Sequence, residues 1–145
     1  MRIHDIDQED ADIDYFATDA AGHIVHVASG GGVLPESVAA DEAALLELHQ
    51  YFLTRPETDS AAAAAPALAQ DGAYPGAARY ARRGLFSFAK TRLHERTDTR
   101  YYAVARPLQP LTLAELPPPL AELLRRTQLP GSAAELETLD IAGIV

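Results

Sequence analysis

The stretch DIDYFATDAAGHIVHVASGGG, residues 12–32, constrains the fold more than any other part of the chain. Its first part alternates, so Ile13, Tyr15 and Ala17 face one side of a strand and Asp14, Phe16 and Thr18 the other. Asp19-Ala20-Ala21-Gly22 then supplies turn chemistry: Asp bonds to nearby backbone and Gly accepts positive φ. HIVHVA, residues 23–28, is the returning strand. A link this short admits only an antiparallel return, because a parallel one needs a crossover of about a dozen residues or more.

The rest of the pattern extends this hairpin into a layered domain. Val38, Leu45, Leu48 and Phe52 recur at helical spacing, which predicts a helix over Ser37–Leu53, capped by Ser37 and stopped by Pro56. Residues 55–78 carry alanines and three prolines without apolar periodicity, and read as a connector. GLFSFA (84–89) and RYYAVAR (100–106) predict a second antiparallel hairpin with a charged, solvated tip. Pro117 opens a further helix, with Leu120, Leu123 and Leu124 inward and Arg125 and Arg126 at its C-terminal end. A candidate last strand near the C-terminus alternates through Leu136, Thr138 and Asp140.

The expected fold class is therefore α+β. Its mainly antiparallel sheet is built from two hairpins and a candidate C-terminal strand, with helices packed on one face. The chain of 145 residues, 48% apolar, fits a single globular domain over 1–145. A flexible acidic N-terminus (1–11) and the Ala/Pro-rich connector (55–78) complete that expectation.

Charge and composition narrow the function. The net charge of −9 argues against nucleic-acid binding, whose affinity comes mainly from cations on phosphate. It suits a basic protein partner. The absence of cysteine removes disulfides and thiolate chemistry and fits a reducing compartment. MRIHDIDQED has no long apolar run, so neither a signal peptide nor a membrane partner is expected, and the location expected is cytoplasmic.

Few residues point to chemistry. Ser29, Gly30, Gly31 and Gly32 could let a ligand approach the backbone, but no Lys-Ser/Thr follows and the spacing is not GxGxxG. A change of chain direction is the plainer reading. His23 and His26 lie three apart on a strand and diverge across it, so they make a poor metal pair. A histidine at position 26 is expected to be packed and hydrogen-bonded. A Ser/His/Asp set could be assembled from Ser29, His26 and one of Asp12, Asp14 or Asp19, but ASGGG is no nucleophile elbow. No catalytic residue, metal site or cofactor is expected. Asp5, Asp7, Glu9, Asp10, Asp12, Asp14 and Asp19 crowd the first nineteen residues against Arg2 alone. They form either a solvated leader or an acidic docking surface, for which Asp12, Asp14, Tyr15 and Asp19 are the candidate contacts. Arg79, Arg82, Arg83, Lys90, Arg92, Arg96 and Arg100 balance them from mid-chain.

Three stretches carry a resemblance together: DIDYFATDAAGHIVHVASGGG; RRGLFSFA followed by YYAVARPLQPLTLAELPPPLAELL; and the closing LPG. They resemble small bacterial proteins of the immunity type, encoded beside polymorphic toxins. That resemblance implies a non-enzymatic cytoplasmic binding protein that sterically occludes a toxin domain, such as a basic nuclease. It transfers no catalytic residues. The alternative from the residues themselves is a small-molecule sensor using the glycine turn and a sheet cleft.

Overall fold

The computed structural model describes residues 2–4, 8, 13–32, 34–56, 79–90, 99–107, 109–129, 131–136 and 138–141. Five strands form one sheet in the order β1-β2-β3-β4-β5. They are β1 (Asp14–Thr18), β2 (Ile24–Ala28), β3 (Phe86–Lys90), β4 (Arg100–Ala105) and β5 (Thr138–Asp140). The first hairpin pairs β1 with β2 antiparallel, setting Tyr15 opposite Val27 and Phe16 opposite His26. The second pairs β3 with β4, with a register shift between Ser87 and Phe88. β5 adds antiparallel to β4. The hairpins meet through β2 and β3, which run parallel. Between Ala28 and Phe86 the chain is long enough for the crossover that a parallel pair demands. The fold is α+β with a mainly antiparallel sheet.

The helix expected over 37–53 is two helices, α1 (Glu36–Ala39) and α2 (Glu42–Thr54). Asp41 separates them. Its backbone is extended (φ −144°) and its carboxylate accepts the Ala44 N–H at 3.1 Å, so Asp41 rather than Ser37 caps the long helix. The Ser37 hydroxyl instead pairs with Thr127 at 2.7 Å. α2 ends at Thr54, because Arg55 precedes Pro56 and is extended (ψ 136°). α3 (Pro118–Arg125) begins just after Pro117, where prolines sacrifice no intrahelical hydrogen bond. In β5 Leu139 points into the core and Thr138 and Asp140 are exposed, while Leu136 lies before the strand.

Phe16 is the meeting point of the helices. Val38 of α1, Leu45 and Leu48 of α2 and Leu123 of α3 gather around it, and Phe52 packs at 4.9 Å between ring centroids. The opposite face of the sheet is not left to water. Tyr15, Val25, Val27, Phe88 and Tyr101 are buried in the same cluster as Leu111, Leu116 and Leu129. β2, apolar apart from His26, is suited to burial on both faces.

Residues near the N-terminus are more engaged than a solvated leader. Ile3 is buried and its N–H donates to Ala39 O at 2.8 Å. Gln8 is buried too; its amide donates to Ile3 O and accepts from Leu34 N, both at 3.0 Å. The expected flexible N-terminus therefore excludes these two positions. Residues 5–7 and 9–12, the connector from 57 to 78 and the hairpin tip at 91–98 lie outside the described residues.

Candidate functional site

An extended run of side-chain hydrogen bonds crosses three strands. Strand register puts Phe16, His26 and Ser87 on one face, since each stands opposite the next. Asp14, two residues before Phe16, is the diagonal neighbour of His26. His26 Nε2 meets Asp14 Oδ1 at 2.8 Å, and His26 Nδ1 meets Ser87 Oγ at 3.2 Å. Tyr80 lies flat on the imidazole, 3.9 Å between centroids and 18° from parallel, and its hydroxyl donates to Asp14 Oδ2 at 3.4 Å. From α2, His49 Nε2 donates to the Asp14 carbonyl at 2.6 Å while its ring edge rests on Phe16.

The electrostatics follow from this burial. Desolvation pushes the Asp14 carboxyl up, but the His26 hydrogen bond and the charges of His26, His49 and Arg79 together outweigh it and hold the group below the usual carboxylate range. Burial, reinforced by the Asp14 charge, pushes the Tyr80 phenol up to about 12. Tyr80 is thus a neutral donor to a charged acceptor.

Asp, His and Ser in hydrogen-bonded order invite comparison with a nucleophilic triad, but the orientation to solvent is inverted. A hydrolytic site presents the hydroxyl to substrate and keeps the carboxylate behind the imidazole. Here Ser87 is 0% exposed and His26 1%, whereas the Asp14 side chain reaches solvent at 28%. The arrangement ties β1, β2 and β3 together and pins Tyr80 and His49 on top. That is the behaviour of a satisfied buried polar network, which favours one packing over its competitors.

Of the residues singled out from sequence, His26 and Asp14 come together, but the serine beside them is Ser87 and not Ser29. Ser29 is fully buried; its hydroxyl accepts the Ile13 N–H at 2.7 Å and its carbonyl accepts from Gly32 N and Tyr101 Oη. Gly30 and Gly31 adopt φ of 59° and 81°, and all three glycines are buried. They turn the chain under the core, so the glycine run offers no open approach to a ligand.

Tyr15 is 0% exposed and Asp19 6%, which removes both from the surface where a partner contact was expected. Apolar neighbours on the inner face explain Tyr15. Asp19 is recruited as a loop organiser: it accepts from Ala21 N and His23 N at 2.9 Å and from Ala133 N at 2.7 Å. Asp12 lies outside the described residues. His23 packs on Phe86 and His26 on Phe16 and Tyr80, so the two rings diverge across the sheet.

Ser87, Tyr80 and His49 were not legible as members of this network. Ser87 and Tyr80 arrive through the parallel register of β2 on β3 and His49 through the packing of α2 on β1, and no local pattern encodes either. The one available signal was a histidine in the middle of an apolar strand.

A cleft over Phe16, between the three helices, is floored by Val38, Leu45, Leu48 and Leu123, with the Asp41–Arg126 ion pair (3.3 Å) at its rim. About 20 Å³ of it is open to the centre of a water molecule, room for a water or two and not for a metabolite. Among the described residues no group of His, Asp and Glu could hold a metal ion, and no helix is long and apolar enough to cross a membrane. Comparisons with protein-family models, with curated proteins and with solved structures find no match for this chain.

Proposed function

We propose that this chain is a non-enzymatic cytoplasmic binding protein of the immunity type, which occludes a basic toxin domain. One observation carries the reading: the distribution of charge. The chain holds 21 Asp and Glu against 12 Lys and Arg, a net charge of −9. Seven of the 21 acidic residues fall within the first nineteen positions, against Arg2 alone. Five of them, Asp5, Asp7, Glu9, Asp10 and Asp12, run directly up to β1, where the Asp14 carboxylate is solvent-accessible and held ionised. An excess of acidic charge concentrated in one segment is suited to steering a basic partner into contact. The inverted Asp14–His26–Ser87 order supports binding rather than hydrolysis as the task.

The test is co-purification from the native host with the intact chain as bait, at low and at moderate salt. A basic protein retained at low salt is expected. Its association rate should fall at least tenfold at moderate salt and again on replacing Asp5, Asp7, Asp10 and Asp12 by Asn. Recovery of no protein at low salt, or of one whose association ignores both changes, overturns the reading.

A further inference from the structure

We propose that the chain self-associates through α2, two copies packing antiparallel about a two-fold axis near Gln50. The helix turns Leu45, Leu48 and Phe52 inward, yet Leu46 and Leu53 stay 59% and 39% exposed. These two are the large apolar side chains left exposed among the described residues. They stand one heptad apart, a separation of about 10.5 Å along the axis, and the outward turns between them carry Ala43 and Gln50. An apolar pair at that spacing matches the outer surface of another helix with the same pair.

Charge selects the occupant. The exposed Glu42 and Glu47 lie toward the N-terminal half of α2. Cations lie at its other end: Arg55 follows the helix, Arg83 donates to Arg55 O at 2.8 Å, and the adjacent Arg82 is exposed. A surface acidic at one end, apolar in the middle and basic at the other is complementary to itself when reversed. The two-fold sets Leu46 against Leu53 of the other copy and brings each Glu47 toward the other copy's Arg55. A parallel arrangement sets like charges together, so the antiparallel one is selected, and both copies then present the same patch in an isologous contact. One 13-residue helix covers roughly a few hundred Å² per copy, which places the dimer among weak ones, with Kd on the order of 100 µM. This inference is independent of the toxin reading and uses none of residues 5–14.

The absence of cysteine gives a direct test. Gln50→Cys lies beside the axis, so mild oxidation of the full chain should yield a covalent dimer. Ala43→Cys should not, because its two copies sit about 20 Å apart in the antiparallel pair. Sedimentation equilibrium of the unmodified chain should show concentration-dependent dimer that Leu46→Asp abolishes without altering circular dichroism. Glu47→Arg should weaken it at least threefold, with recovery when Arg55→Glu is added to the same chain. Dimers from Ala43→Cys as readily as from Gln50→Cys, or a monomer throughout to millimolar concentration, overturn the proposal. So does a dimer indifferent to Leu46→Asp.

Discussion

Tyr15 and Tyr101 are neighbours in the core and differ by one hydrogen bond. The Tyr101 hydroxyl donates to Ser29 O at 2.9 Å; the Tyr15 hydroxyl is buried without a hydrogen-bond partner among the described residues. Burial, with Tyr101 nearby, raises the Tyr15 phenol well above its ordinary pKa, so it stays neutral. An unpaired buried hydroxyl costs stability, and a paired one contributes about 1 kcal/mol. Tyr15→Phe should therefore raise the unfolding free energy by about 1 kcal/mol, and Tyr101→Phe should lower it by about the same. Urea denaturation followed by circular dichroism reads both signs. Asp14 gives a pH signature. Its folded pKa lies below the unfolded value near 3.9, so its contribution is full above that value and is lost as pH falls through the folded one. Asp14→Asn should cost about 2 kcal/mol at neutral pH and little in strong acid, so the two stability curves converge below about pH 4. Parallel curves across that range would rule out the ionised Asp14–His26 contact.

At the scale of elements, connections decide more than propensity. Asp19 lies in the hairpin turn but also reaches Ala133, joining β1–β2 to the segment before β5. Asp19→Ala strands three N–H groups and should cost about 3 kcal/mol; Asp19→Asn, which can keep its acceptor oxygen, should cost less. Equal losses for both, measured by thermal and urea unfolding, would show that the acceptor geometry is not what matters. Gly84 and Gly22 separate two roles of glycine. Both have positive φ, 96° and 83°, but a Cβ on Gly84 would come 2.8 Å from the Leu111 Cβ, whereas Gly22 has open space. Gly22→Ala should cost about 1 kcal/mol for the backbone alone, and Gly84→Ala about 3 kcal/mol or more. The ratio of the two, from chemical denaturation, checks the packing of Leu111 on the β3 entry.

For the whole molecule, the parallel seam between β2 and β3 sets the kinetics and the charge layout sets the salt response. The seam joins Val25 to Phe86, so much of the native pairing waits on closure of a long loop. Refolding should take roughly milliseconds to seconds, as for non-local topologies, and stopped-flow tyrosine fluorescence can follow it because the chain has six tyrosines and no tryptophan. With a net charge of −9, added salt should leave stability unchanged or, by screening self-repulsion, raise it by up to about 1 kcal/mol. Association with a basic partner should weaken over the same change. Parallel loss of both would mean that the carboxylates act mainly in folding.

Local sequence was enough for both hairpins: Asp19–Gly22 permits only a tight antiparallel return in the first, and alternation over 84–89 and 100–106 marks the strands of the second. It also determined where α3 begins, because Pro117 and Pro118 tolerate a first turn and little else. It misplaced the cap of α2: Ser37 and Asp41 are both plausible caps, and only the contact between Ser37 and Thr127 of a distant segment decides between them. Tertiary structure alone decided the candidate site. The first hairpin brings Asp14 to His26, but Tyr80 and Ser87 join them only through the register of β2 on β3, a pairing made across the crossover. Tertiary structure also decided which residues near the hairpin face water. Tyr15 and Asp19 look like surface contacts in an acidic stretch, but a sheet covered on both faces buries Tyr15, and the segment at Ala133 closes over Asp19. Local periodicity records which residues share a face; what covers that face depends on segments far along the chain.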